Sequence, residues 1–122
     1  MQRDTRQRRA IRATLEEAGH PMSPKELLTA AKGRAEGLGI ATVYRNLRHL
    51  QDAGSVTPVE LPGEPPRYEI SGKAHHHHFL CRECDRVYEL DGCPSDVHSV
   101  TPAGFSVEGH ELVLYGLCAQ CA

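Results

Sequence analysis

Two Cys-x-x-Cys pairs, Cys81-Arg82-Glu83-Cys84 and Cys118-Ala119-Gln120-Cys121, constrain this chain of 122 residues more than any other feature. Each pair lets one tight turn offer two thiolates on one side, and two such turns complete a tetrahedral four-sulfur site for zinc. The 33 residues between them, 85–117, exceed the gap of an ordinary zinc ribbon and imply a small domain between the knuckles. Free thiols or a redox dithiol are the alternative. A redox pair of thioredoxin type, however, sits at a helix start in a βαβ unit, whereas these pairs flank a strand-rich segment. A structural zinc would fold an otherwise undersized domain.

Immediately before the first pair stands His75-His76-His77-His78. As a β-strand it sends His75 and His77 to one face and His76 and His78 to the other. Each face is then half of a site for a divalent ion, with Glu69, Glu89, Asp96, His98, Glu108 and His110 as available partners. Nitrogen and oxygen donors suit zinc, iron(II) or manganese. A solvated polar strand is the alternative. Further strands are expected at 87–90, 105–107 and 112–117, with a short helix over 95–103. Val113, Tyr115 and Leu117 alternate with Leu114, which predicts burial of both faces. A sheet with no cover of its own is suited to a dimer interface.

Charge divides the chain in the same place. Residues 1–73 carry twelve Lys/Arg against nine Asp/Glu, and residues 74–122 carry two against seven. All five cysteines and six of the eight histidines fall in the acidic part, so two parts with two tasks are expected. In the basic part, three helices are read. The first runs from about Thr5 to Ala18, with Ile11, Leu15 and Ala18 on one stripe and Gly19 as its stop. The second opens with Ser23 as N-cap, Pro24 at the first position and Glu26 closing a capping box. The third follows Gly39, with Ile40, Val43, Leu47 and Leu50 as its stripe, and ends at Gly54. Two strand-like runs, Val56 to Leu61 and Arg67 to Ile70, flank a turn rich in proline and glycine.

Three helices and a hairpin make the winged variant of helix-turn-helix, whose third helix enters the major groove of DNA. Thr42, Tyr44, Arg45 and Arg48 lie on its face opposite the stripe. Arg45 suits a guanine edge bidentately, and Tyr44 a thymine methyl or a phosphate. Arg3, Arg6, Arg8, Arg9 and Arg12 form a basic lead-in for phosphates or the minor groove. A plain helical domain with a solvated basic end is the alternative. The expected fold is α+β: a winged-helix DNA-binding domain over 1–70 and a small α/β metal-binding dimerisation domain with a four-cysteine structural zinc over 71–122. No run reaches the ~20 apolar residues of a membrane span, and no signal peptide is visible, so a cytoplasmic protein without membrane partners is expected.

Three segments in this order, Gly39-Ile40-Ala41-Thr42-Val43-Tyr44-Arg45, His75 through Cys84, and Leu114-Tyr115-Gly116-Leu117-Cys118-Ala119-Gln120-Cys121, resemble the ferric uptake regulator (Fur) family. The resemblance covers about Thr5 to the C-terminus. It implies a homodimeric repressor that binds AT-rich inverted repeats of double-stranded DNA when loaded with metal. It implies structural zinc at Cys81, Cys84, Cys118 and Cys121, and a regulatory metal at a hinge between domains, held by Glu69, His76, His78 and Glu89. An additional metal falls to His75, His77, Asp96 and His110, and base reading to Tyr44 and Arg45. Zinc is the expected signal ahead of iron(II) or manganese; an iron-, manganese- or peroxide-sensing member is the alternative.

Several positions depart from the family pattern. A histidine ligand belongs near Ser23, and His20 is one position early. The helix after Asp96 is short, which leaves His98 a rival ligand. Asp85 stands where a glycine is frequent. Cys93 is an extra thiol in Asp91-Gly92-Cys93-Pro94, a stretch similar to one in some zinc uptake regulators, or else an inert small residue. An enzyme is disfavoured because a four-cysteine site is closed and the H-x-E…P-C-x-x-C pattern of zinc deaminases is missing. A metal buffer or chaperone would explain the histidines but not the winged helix.

Overall fold

A computed structural model describes residues 5–93 and 97–122, without the side chains of 97 and 98. The chain divides into two compact units, Met1–Lys73 and Ala74–Ala122.

The first unit packs three helices on a hairpin. Helix α1 (Arg6–Ala18) is capped by Thr5, whose hydroxyl accepts the Arg8 N–H, and it stops at Gly19 with φ 68°. The left-handed conformation that glycine tolerates lets the Gly19 N–H return to Leu15 O. Helix α2 (Pro24–Ala31) starts with the complete capping box: Glu26 N–H to Ser23 Oγ, and Ser23 N–H to Glu26 Oε1. Helix α3 (Ile40–Asp52) follows Gly39, which gives no side-chain cap. Strands β1 (Val56–Val59) and β2 (Arg67–Ile70) pair antiparallel, Val56 opposite Ile70 and Val59 opposite Arg67.

The helical stripes converge on one apolar core of Ile11, Leu15, Met22, Leu27, Val43, Leu47, Leu50 and Val56. Ile40 does not join it. At the first position of α3 it is 39% exposed, because the stripe rotates toward the core only from Val43 onward. The inward position that periodicity overlooked is Asn46, buried on the same helix. Its amide donates to Thr42 O and its carbonyl accepts Arg8 Nε at 3.2 Å, which ties α3 to α1. Glu26 Oε1 also accepts Arg67 Nη1 at 3.1 Å, so the carboxylate that closes the α2 cap anchors β2 as well.

The second unit is a three-stranded sheet, order β4-β3-β5. Central β3 (His77–Cys81) runs antiparallel to β4 (Val87–Leu90) and parallel to β5 (Val113–Gly116). The strand therefore starts two residues later than the histidine run does. A single 3-10 turn, Val97–Val100, stands where a short helix was expected over 95–103. Residues 105–107 form no strand, and Phe105 is 71% exposed. Nor are both faces of β5 buried: Leu114, Tyr115 and the following Leu117 are exposed in the single chain. Gly116 faces Phe79, and a Cβ there would meet the Phe79 ring at 3.3 Å. Among the described residues, no helix is long and apolar enough to cross a membrane.

Leu47 is fully buried at the centre of the first core. Leu47→Ala is expected to cost about 2–5 kcal/mol, the usual cost of such a cavity, read as a lower urea midpoint of the helical circular-dichroism signal.

Candidate metal centres

The four paired cysteines meet because of how β3 is paired. Cys81 is the last residue of β3 and sits opposite Gly116, so the parallel neighbour delivers Cys118 beside it two residues later. The Cys81 sulfur accepts the N–H groups of Cys84 and Cys118, at 3.5 and 3.4 Å. The first knuckle closes with Asp85 N–H on Cys81 O and Cys81 N–H on Arg86 O. This turn needs φ 61° at Asp85, the one left-handed non-glycine among the described residues. A glycine suits the position for that reason, and Asp is one of the few residues that tolerate it.

All four sulfurs lie within 4.8 Å of one another, and Cys84 Sγ is 3.9 Å from Cys118 Sγ. A tetrahedral zinc at about 2.3 Å from each sulfur separates them by about 3.8 Å. The site fits the ion. Hydrogen bonds from the Cys84 and Cys118 backbones hold the Cys81 thiol down at about 6, while its hydrogen bond to Cys118 pushes Cys121 up to about 12. The Cys118 thiol is lowered as well, chiefly by its hydrogen bond with Tyr88, whereas Cys84 and Cys121 are raised and resist ionising until a cation shares the charge.

The four histidines separate into two groups. His76 and His78 form one pair, ring centroids 4.8 Å apart, and His75 and His77 form the other, 4.6 Å apart. In the first pair, His78 faces Glu89 across β3 and β4, and His76 Nε2 lies 3.4 Å from Glu89 Oε1. His76 Nδ1–H donates to Ala74 O at 2.8 Å. That bond sets the tautomer, leaving the Nε2 lone pair directed at the carboxylate side, as a carbonyl accepting from the far ring nitrogen does for ligating histidines. Glu69 is buried on β2 of the other unit, with Lys73 Nζ 3.9 Å from it.

The second pair meets His110. His75 Nε2 and His77 Nε2 lie 3.3 and 3.2 Å from His110 Nε2. Cys93 Sγ joins them, 2.8 Å from His110 Nε2 and 3.3 Å from His77 Nε2. His77 is only 2% exposed, and burial, followed by its histidine neighbours, lowers its affinity for a proton. Asp96, expected in this group, lies outside the described residues, as does the side chain of its rival His98. Glu108 is exposed.

On the first unit, Tyr44, Arg45 and Arg48 are exposed along α3 and line an open groove of about 500 Å³ with Gln51, Asp52 and Tyr68. Tyr68 and Gln51 were missed in the sequence: Tyr68 comes from β2, beyond any α3 periodicity. Thr42 is half-buried, and Arg6 is exposed in the first turn of α1. Arg8 is turned inward to Asn46 rather than standing in a free basic arm, and Arg3 lies outside the described residues. Ser23 is engaged in the α2 cap, and His20 Nδ1 meets Pro21 O at 2.9 Å.

A family model described as the Ferric uptake regulator family matches residues 2–115. The Ferric uptake regulation protein of Campylobacter jejuni is 33% identical over 122 residues, covering 96% of this chain and 78% of that protein. A solved zinc-bound manganese uptake regulator superposes with a TM-score of 0.81 at 27% identity, covering 96% of this chain and 91% of the other. A Ferric uptake regulator from Francisella tularensis, solved with iron, gives a TM-score of 0.77 at 25% identity, covering 98% and 94%.

The Cys81 sulfur accepts N–H groups from both knuckles, so Cys81→Ser is expected to lose zinc binding and unfold the second unit while the helical signal of the first persists. Metal analysis of the purified variant with two-dimensional amide NMR checks this; a folded sheet without zinc would sink the structural assignment.

Proposed function

The chain belongs to the Ferric uptake regulator family of metal-responsive, DNA-binding dimeric regulators, which are not enzymes, and from that premise we propose that it is a zinc-responsive repressor. Loaded with metal, the cytoplasmic homodimer binds an AT-rich inverted repeat. The observation that carries this reading is the division of the four histidines about β3, which sets His76 and His78 beside Glu89 with the His76 tautomer fixed. These three residues are the core of the regulatory site, and the family resemblance adds Glu69. Cys81, Cys84, Cys118 and Cys121 hold the structural zinc. Zinc bound by such donors neutralises the carboxylate and crosslinks the ligands, which favours the conformation that presents them together.

Metal then acts by population shift: the dimer competent for DNA is favoured by as much as its affinity for the ion exceeds that of the other conformers. In the DNA complex, Tyr44 and Arg45 read base edges, while Arg6, Thr42 and Arg48 contact phosphates or neighbouring edges. The exposed Leu114, Tyr115 and Leu117 supply apolar surface for the partner subunit. Nitrogen and oxygen donors at His76, His78 and Glu89 also suit iron(II) and manganese. Those metals are therefore the competing signals.

The deciding experiment is selection from random duplex DNA by protein that keeps its cysteine-bound zinc but is stripped of labile metal. Zinc, iron(II) and manganese are titrated separately without oxygen. Zinc is expected to select an inverted repeat; selection by another metal transfers the signal to it, and no selection by any metal leaves a metal buffer as the function. His78→Ala is expected to abolish metal-dependent selection while the dimer stays folded. Arg45→Ala is expected to cost about 1–3 kcal/mol of discrimination at one base pair, read by competition with single-base operator variants.

A further inference from the structure

The cluster of His75, His77 and His110 has a sulfur where the sequence suggested a carboxylate. Strand β4 ends at Leu90, directly opposite His77. Two residues then turn the chain, with Gly92 at φ 100°, a conformation that glycine adopts readily. The turn returns Cys93 over His77, and all four donor atoms fall within 4.8 Å of one another.

Three imidazole nitrogens and a thiol directed at one point make a poor hydrogen-bonded cluster. Each neutral ring carries one N–H and one lone pair, and protonating a ring sets cations side by side. A shared divalent ion removes the conflict. A tetrahedral ion at about 2.0–2.1 Å from each nitrogen spaces the nitrogens by about 3.3–3.4 Å. The observed separations from His110 Nε2 are 3.3 Å to His75 Nε2 and 3.2 Å to His77 Nε2. With sulfur about 2.3 Å from the ion, a nitrogen–sulfur edge is about 3.5 Å, so loading opens the 2.8 Å contact of Cys93 Sγ with His110 Nε2 by about 0.7 Å.

We propose that His75, His77, Cys93 and His110 form a tetrahedral zinc site of three nitrogens and one sulfur, and that the Cys93 thiolate makes it discriminate zinc from manganese. On loading, the Cys93 S–H bond gives its proton to solvent and the sulfur binds the ion. A thiolate is a soft donor that zinc and cobalt(II) accept, whereas manganese favours six oxygen donors. The assignment rests on the metal-responsive reading above for its context, but its test involves no DNA.

The probe is cobalt(II), added under reducing, oxygen-free conditions to full-length protein whose four-cysteine site is filled with zinc. Metal analysis verifies that one zinc per chain is retained. The His76, His78 and Glu89 group contains no sulfur, so a near-ultraviolet sulfur-to-cobalt charge-transfer band then reports Cys93 alone. The wild type is expected to show that band with strong ligand-field bands of tetrahedral cobalt. C93S and C93A are expected to lose the charge-transfer band while keeping native circular dichroism and the cysteine-bound zinc. Even an outer-shell change costs about 10–100-fold in metal affinity, so C93S is expected to weaken zinc at this site at least about tenfold, with manganese little changed. Wild-type protein without the band overturns the site. So does a C93S spectrum identical to wild type with binding lost instead in D96N, which returns the fourth position to Asp96. A protein that shows the band but selects no operator keeps this site and loses the repressor function.

Discussion

The second unit has almost no hydrocarbon interior, and its architecture depends on what replaces one. Among the described residues, its buried apolar side chains are Leu80, Cys81, Val87 and Cys118, joined by the imidazole of His77. Two of those four are sulfurs that converge on one point, and at about 25 cal/mol per Å² the other two cannot offset the entropy of ordering the 49 residues of Ala74–Ala122. The structural zinc and the partner surface proposed above are the two sources that would hold the sheet. Ligand geometry and fold are therefore one problem in this part of the chain.

The first unit solves its stability in the ordinary way. A continuous core draws from three helices and the hairpin, and polar groups serve as ties between elements. Glu26 caps α2 and grips Arg67 on β2; Asn46 closes a turn of α3 and grips Arg8 on α1. With these ties the exposed side of α3 is a rigid platform, so Tyr44, Arg45 and Arg48 are presented by a fixed backbone and not by a loop. Side chains held on a fixed backbone suit the base-reading role proposed for them.

Features with short-range physical causes were legible in the residues. The α2 capping box, the glycine stop of α1 and the i,i+2 division of the histidines each depend on neighbours a few positions apart, and each stands in the structure. Features set by distant partners were not. Ile40 fits the stripe of α3 by spacing, but the core does not extend to the first turn. Phe105 and Val107 carry strand propensity, yet no neighbouring strand gives residues 105–107 a ladder. Asn46 looked like surface because a polar residue inside a core is invisible until its partner, Arg8, is known. Cys93 was an unassigned thiol because its company at His77 and His110 depends on a turn after β4 and on a residue 17 positions away.

The parallel pairing of β3 with β5 has a consequence for the order in which the protein comes into being on the ribosome. Strand β3 runs from His77 to Cys81, about 13 Å, with imidazoles at one end and a knuckle at the other. Its parallel neighbour begins at Val113, and the thiols that complete the knuckle follow at Cys118 and Cys121. A nascent chain that has reached residue 100 thus displays all four histidines of the run but lacks the strand that fixes their register and the sulfurs that pin its far end. During synthesis, a thiophilic ion arriving early meets three cysteines, Cys81, Cys84 and Cys93, and a loose row of imidazoles. On the function proposed above, the site that weighs the metal takes its shape only after the chain has closed at its four paired cysteines.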